Sequence, residues 1–101
     1  MDMIERITLG EQRLDAASEV IERFRASLEE FIAAQRDIEC VSNYLGSEEW
    51  FDDIEAHGAG ELPEDLKCGI LSEDLGYDLL VDNRDIAIRM LEVATKILKH
   101  L

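Results

Sequence analysis

An apolar seven-residue repeat runs through the first half of the chain and constrains the fold more than any other feature. Residues spaced seven apart fall into two rows: Ile7, Leu14, Ile21, Leu28 and Gln35 in one, and Gly10, Ala17, Phe24, Phe31, Ile38 and Leu45 in the other. Residues with this spacing share one side of an α-helix and pack against another helix. The repeat therefore predicts a long helix that needs a partner surface.

Local signals indicate where this helix ends and where three more helices lie. Gly46 suits the end of the first helix, and Ser47 suits the N-cap of a second. Pro63 fits the first turn of a third helix that Gly69 would end, and Ser72 can open a fourth. The predicted helices, all within a single domain, span about 2–45, 48–56, 63–68 and 73–100.

The start of the first helix has an alternative. Thr8 and Glu11 match a capping box, which would begin the helix there and leave residues 1–7 as an arm. We prefer a continuous helix, because Met3 and Ile7 extend the apolar repeat towards the N-terminus.

The last helix carries two adjacent apolar rows, one formed by Leu79, Ile86, Met90, Val93 and Ile97, the other by Leu80, Ala87, Leu91, Ala94, Leu98 and Leu101. We therefore expect an all-α fold, a long coiled-coil-like antiparallel helical hairpin with two short helices in its connection. The first helix would extend beyond the last, so a homodimer that forms a helical bundle is expected. The predicted dimer interface includes Ile4, Ile7, Leu14, Leu91 and Leu98.

Two amides interrupt the apolar rows of the predicted hairpin. In an antiparallel pairing that sets Leu45 opposite Leu75, Asn83 lies within one turn of Gln35. A hydrogen bond between these side chains would specify the register at some loss of stability.

The charge is concentrated in the middle of the chain. The net charge is −14, and residues 47–85 contain 13 acidic residues against only Lys67 and Arg84, a net of −11. We call residues 47–85 the acidic tip. Its negative charge opposes direct binding to nucleic acid or to an anionic membrane.

The sequence offers few candidate residues for metal binding, catalysis or redox chemistry. Asp53 and His57 lie one helical turn apart and could together contact a divalent cation. Two ligands are too few for a metal site, so a solvated helix end is favoured and no cofactor is expected.

The sequence has no glycine-rich phosphate loop and no nucleophile motif, which argues against an enzyme. Cys40 and Cys68 lack metal or redox spacing and are expected to be free thiols.

The region Tyr44–Leu80 resembles domain of unknown function 4298, a family of small acidic helical bacterial proteins. The resemblance is carried by the runs GSEEW, LPEDLK, GILSED and YDLL. Leu45 stands where the family pattern has a second aromatic residue, and Cys68 where it has a basic one. The resemblance implies the helical fold but no activity, substrate or cofactor.

Aromatic residues flank the loop of the acidic tip. These residues are Tyr44, Trp50, Phe51 and Tyr77, and they either fill the end of the helical bundle or, with the surrounding acids, form an interface for a basic protein. The predicted partner-binding residues are Trp50, Phe51, Asp52, Asp53, Glu55, Glu61, Glu64 and Asp65.

Three functional classes follow from this sequence. The first is a small interaction or adaptor protein whose acidic tip binds a basic partner. The second is a nucleic-acid mimic that inhibits a DNA- or RNA-binding enzyme, and the third is a metal-dependent enzyme. The first ten residues, MDMIERITLG, lack the features of a signal peptide, and no apolar run is long enough to span a membrane, so a cytoplasmic location is expected.

Overall fold

Helices account for most of the chain in a computed structural model that describes all residues from Met1 to Leu101. The α-helices are α1 (Met3–Tyr44), α2 (Glu48–Gly58) and α3 (Leu75–Lys99), and a 3-10 helix, Gly69–Leu71, lies between α2 and α3. The predicted fold class is confirmed: the chain is all-α, and two long helices flank a connection that holds two short ones.

The chain divides into two units, Met1–Gln35 and Arg36–Leu101. The first unit consists of the N-terminal part of α1, which begins where the Asp2 carboxylate accepts the Glu5 N–H at 2.8 Å. The helix continues through Thr8 without a break, so the alternative start at the capping box is wrong. Five side chains of the apolar repeat in this unit are more than half exposed: Met3, Ile7, Leu14, Ile21 and Phe24.

The second unit contains the end of α1 and all later elements. Gly46 follows α1 with φ +77°, the left-handed conformation that glycine adopts without strain. Ser47 Oγ accepts the Trp50 N–H at 3.2 Å and donates to the Tyr44 carbonyl at 2.6 Å. Both local predictions at this junction, the glycine stop and the serine cap, are confirmed.

The predicted helix at 63–68 does not form. Residues Pro63 to Leu66 make one turn, in which the Leu66 N–H donates to the Pro63 carbonyl at 3.2 Å, and the next helical residues are those of the 3-10 helix. A six-residue segment spans fewer than two α-helical turns, so it gains too few hydrogen bonds to offset the cost of nucleation. The second short helix is therefore a 3-10 helix that begins at Gly69, where the sequence predicted a helix end.

The start of α3 lies two residues later than predicted. Ser72 Oγ accepts the Leu75 N–H at 3.2 Å and donates to the Gly69 carbonyl at 2.8 Å, so one hydroxyl joins the 3-10 helix to the first turn of α3. Asp74 occupies the N-cap position without a side-chain hydrogen bond to the helix. Ser72 thus opens the helix, as predicted, from a position just outside it.

A small group of side chains forms the core of the second unit. Leu45 and Trp50 are its buried apolar side chains, and Gly76 in the first turn of α3 is buried as well. A Cβ at Gly76 would lie 2.7 Å from a methyl group of Leu45, so the two helical segments approach as closely as glycine allows. This core positions α2 and its acidic residues.

Candidate functional site

Trp50 joins three elements of the acidic tip. Its side chain is only 5% exposed, and its Nε1–H donates to the Ile70 carbonyl in the 3-10 helix at 3.0 Å. Its ring meets the rings of Phe51 and Tyr77 edge to face, with centroid separations of 5.2 and 6.4 Å. Of the two roles considered for the tip aromatics, the geometry of Trp50 matches the filling of a core.

Phe51, the next residue along α2, is 60% exposed. It shares an exposed side of α2 with Glu48, Asp52 and Glu55, since residues at i, i+3, i+4 and i+7 line one side of a helix. The Phe51 ring also packs against the Trp50 ring edge to face. The exposed side of α2 therefore presents one aromatic ring among three carboxylates.

A recess lies next to this side of α2. It has a volume of about 260 Å³ and is lined by Asp52, Glu55, Ala56, Ala59 and Glu61. All three acids are exposed. Carboxylates thus converge on the recess from α2 and from the loop that follows it.

The acids of the tip have no cationic partners within the chain. The one ion pair joins Arg89 to Glu92 at 3.2 Å and lies beyond residue 85. Of the 13 acidic residues in the tip, only Asp53 is partly buried, while Glu64 and Asp65 are exposed in the turn after Pro63. The negative charge of the tip is therefore presented to solvent without internal compensation.

Asp53 serves a different role from the other acids. Its carboxylate accepts a hydrogen bond from the Tyr44 hydroxyl, which connects α2 to the end of α1. This hydrogen bond, together with burial and the negative charge of Asp53, raises the pKa of Tyr44 to about 12, because the bond is made only by the protonated phenol. Sequence reasoning considered Tyr44 only as one of the tip aromatics and missed its hydrogen bond to Asp53, since nothing local relates it to a carboxylate nine positions later.

A second recess lies beside the Tyr44–Asp53 pair. Its volume is about 290 Å³, and the Cys68 thiol at its edge donates to the Leu66 carbonyl at 3.4 Å. Cys40 is exposed, and both cysteines are free thiols. The lining residues are Tyr44, Asp53, Leu62, Leu66, Lys67, Cys68, Ile70 and Leu71.

The pair considered for a cation, Asp53 and His57, gains no third ligand from the fold. Asp53 is engaged by Tyr44, and His57 is exposed in the last turn of α2. The chain contains no group of three or more His, Cys, Asp and Glu side chains arranged to hold a metal ion.

The predicted dimer-interface residues are all on the surface. Ile4, Ile7 and Leu14 lie in the first unit and Leu91 and Leu98 in the second, and each is more than half exposed. None of the three α-helices combines the length and the apolar character required to cross a bilayer.

The comparisons with known proteins agree with the resemblance carried by the tip sequence. No curated protein was found to match the chain. A family model described as Domain of unknown function (DUF4298) matches residues 7–93, which include α2, the 3-10 helix and most of both long helices. The match extends over most of the 101 residues, and the chain therefore belongs to the DUF4298 family.

Proposed function

We propose that the protein acts in the cytoplasm as a small interaction or adaptor protein whose acidic tip binds a basic segment of another protein. The observation that carries the proposal is the recess beside α2, where the carboxylates of Asp52, Glu55 and Glu61 converge without a cation from this chain. Such an arrangement is complementary to a lysine or arginine side chain of a partner.

The size of the recess supports a side chain as its occupant. Pockets that bind small molecules usually enclose about 300 to 1,000 Å³ and are mostly apolar. The recess of about 260 Å³ is smaller and is lined by three acids and two alanines. An arginine or lysine head group is small enough for this volume and carries the charge opposite to that of the carboxylates.

Phe51 adds an apolar contact to this charged surface. Its ring is 60% exposed and lies on the same side of α2 as Asp52 and Glu55. Aromatic side chains are common anchors of protein interfaces, and a cation above an aromatic ring gains further attraction. The ring and the carboxylates together favour a partner segment with both apolar and basic residues.

Affinity purification from the native cell tests this proposal. The wild-type protein and the triple variant Asp52→Asn, Glu55→Gln and Glu61→Gln would be compared at low and at physiological salt. We expect the wild type to retain a basic protein that the variant loses, and we expect retention to weaken as salt screens the charges.

A matched control removes the same charge elsewhere. The variant Glu11→Gln, Glu19→Gln and Glu22→Gln alters three exposed acids of α1 and should retain the partner. Equal capture by the tip variant and the wild type, or capture that salt does not affect, would refute the acidic tip as the contact. Displacement of the captured protein by duplex DNA would instead support the nucleic-acid mimic.

A further inference from the structure

The C-terminal half of α3 carries an exposed apolar seam. The seam runs through Ala87, Leu91, Ala94 and Leu98, with spacings of four, three and four residues. Leu91 and Leu98 are 70% and 68% exposed. This spacing is that of a coiled-coil interface, and its large side chains face solvent.

We propose that this seam, which we call the α3 seam, binds the same seam of a second copy in antiparallel orientation. The proposal concerns a surface distinct from the recess beside α2 and does not depend on the function proposed above. A two-fold interface pairs identical patches, so the patch must be complementary to itself.

The alternation of alanine and leucine supplies this complementarity. In an antiparallel pair with a residue-number sum of 185, Leu91 of one copy faces Ala94 of the other, and Ala87 faces Leu98. Leu91 and Leu98 of each copy then each meet an alanine, so large and small side chains interdigitate along the pair. A parallel pair would set Leu91 against Leu91 and Ala94 against Ala94, so layers filled by two leucines would alternate with layers that two alanines underfill.

The charge distribution also favours the C-terminal half of α3 as the contact between two copies. Two copies that each carry −14 repel one another, but residues 86–101 carry a net charge of +2. The four charged residues of this segment all lie on the side of α3 opposite the seam: Arg89, Glu92, Lys96 and Lys99. Association through the α3 seam therefore buries no charge and brings together the least repulsive surfaces of the two copies.

The exposed area is sufficient for a dimer of moderate affinity. Met90 and Ile97 border the seam on one side and Ile88 on the other, and each is more than a third exposed. The apolar surface of the seam and its borders is on the order of 500 Å² per copy, or roughly 1,000 Å² for two, near the lower limit of specific interfaces.

The exposed row of α1 from Met3 to Phe24 is the competing surface. It also alternates large and small side chains, with Gly10 and Ala17 between the large ones, so packing does not distinguish it from the α3 seam. The charge does, because residues 2–39 carry a net charge of −5 whereas residues 86–101 carry +2, and two copies therefore repel one another more strongly at the α1 row.

Sedimentation equilibrium on the full chain tests the proposal. We expect the wild type to form dimers at high micromolar concentration, and Leu91→Glu to raise the dimer Kd by at least about 100-fold, because two symmetric copies of the substitution lie in the interface. Val81→Glu is the matched control, since Val81 is 55% exposed on α3 away from the seam. Helical circular dichroism would verify that both variants fold.

A mixing experiment tests the orientation. Leu91→Glu and Ala94→Lys should each be monomeric alone and should form a heterodimer when mixed, because the antiparallel register pairs the new carboxylate with the new ammonium group. A monomeric wild type would overturn the proposal, as would a Val81→Glu effect equal to that of Leu91→Glu, or dissociation by Ile7→Glu but not by Leu91→Glu. Pairing of Leu91→Glu with Leu91→Lys, but not with Ala94→Lys, would overturn the antiparallel orientation.

Discussion

Gly76 at the start of α3 contacts Leu45, the residue that follows α1, so closely that no side chain fits between them. A Cβ at Gly76 would lie 2.7 and 2.8 Å from the two methyl carbons of Leu45 and 3.2 Å from its Cγ. Leu45 is only 9% exposed, so its side chain has little freedom to move aside. The contact therefore determines how closely the first turn of α3 packs against the end of the first helix.

Gly76→Ala should destabilise the protein, although alanine is the better helix former. The clash with a buried leucine should outweigh the gain in helix propensity and lower the free energy of unfolding by about 1–2 kcal/mol. Chemical denaturation measures this change. Gly10→Ala is the control, because nothing lies within 4 Å of a Cβ there, and it should raise the free energy of unfolding by roughly 0.5–1 kcal/mol.

Trp50→Ala should cause a large loss of stability. The substitution removes a buried ring and leaves the Ile70 carbonyl without its donor, which together should lower the free energy of unfolding by about 3–5 kcal/mol. Phe51→Ala, at an exposed ring, should lower it by less than about 1 kcal/mol and should weaken capture of a basic partner. Thermal denaturation followed by circular dichroism measures both variants, and similar losses for the two would contradict the assignment of Trp50 alone to the core.

The hydrogen bond between Tyr44 and Asp53 should make stability depend on pH in the alkaline range. The pKa of Tyr44 is raised from 10.0 to about 12, so the folded state holds its phenolic proton more tightly than the unfolded state does. The resulting stabilisation is fully present below about pH 10 and is lost as the pH rises through about 12. Denaturation of the wild type and of Tyr44→Phe across this range measures the difference, which should shrink towards high pH.

The tyrosinate absorbance provides an independent check of this prediction. A component that titrates near pH 12 should be present in the wild type and absent in Tyr44→Phe. Asp53→Asn should move this component to lower pH, because it replaces the charged acceptor of the phenol hydrogen bond and removes the negative charge that opposes ionisation of the phenol. A titration that Asp53→Asn leaves unchanged would argue against the hydrogen bond as the cause.

Ser47→Ala should loosen the junction between α1 and α2. The hydroxyl of Ser47 caps α2 at the Trp50 N–H and also binds the last residue of α1, so its loss should lower the free energy of unfolding by about 1 kcal/mol. Ser42→Ala is the control, since Ser42 is exposed within α1, and it should have little effect or stabilise slightly. Urea denaturation of the two variants gives the comparison.

Local chemistry in the sequence determined the long helix, its end and the start of α2. The heptad rows, the left-handed glycine at position 46 and the hydroxyl of Ser47 act over a few neighbouring residues, so the printed sequence is enough to interpret them. The concentration of acids in residues 47–85 is likewise a property of the chain itself.

Only the tertiary structure decided what depends on residues far apart in the chain. Trp50 is buried and donates its indole N–H to the Ile70 carbonyl, 20 positions later, while Phe51 beside it is left exposed. The segment after Pro63 stays non-helical, and Gly76 is required because of Leu45, 31 positions earlier. These outcomes depend on packing between residues that are far apart in the chain. The patterns in the sequence indicate only the local structural preference of each segment.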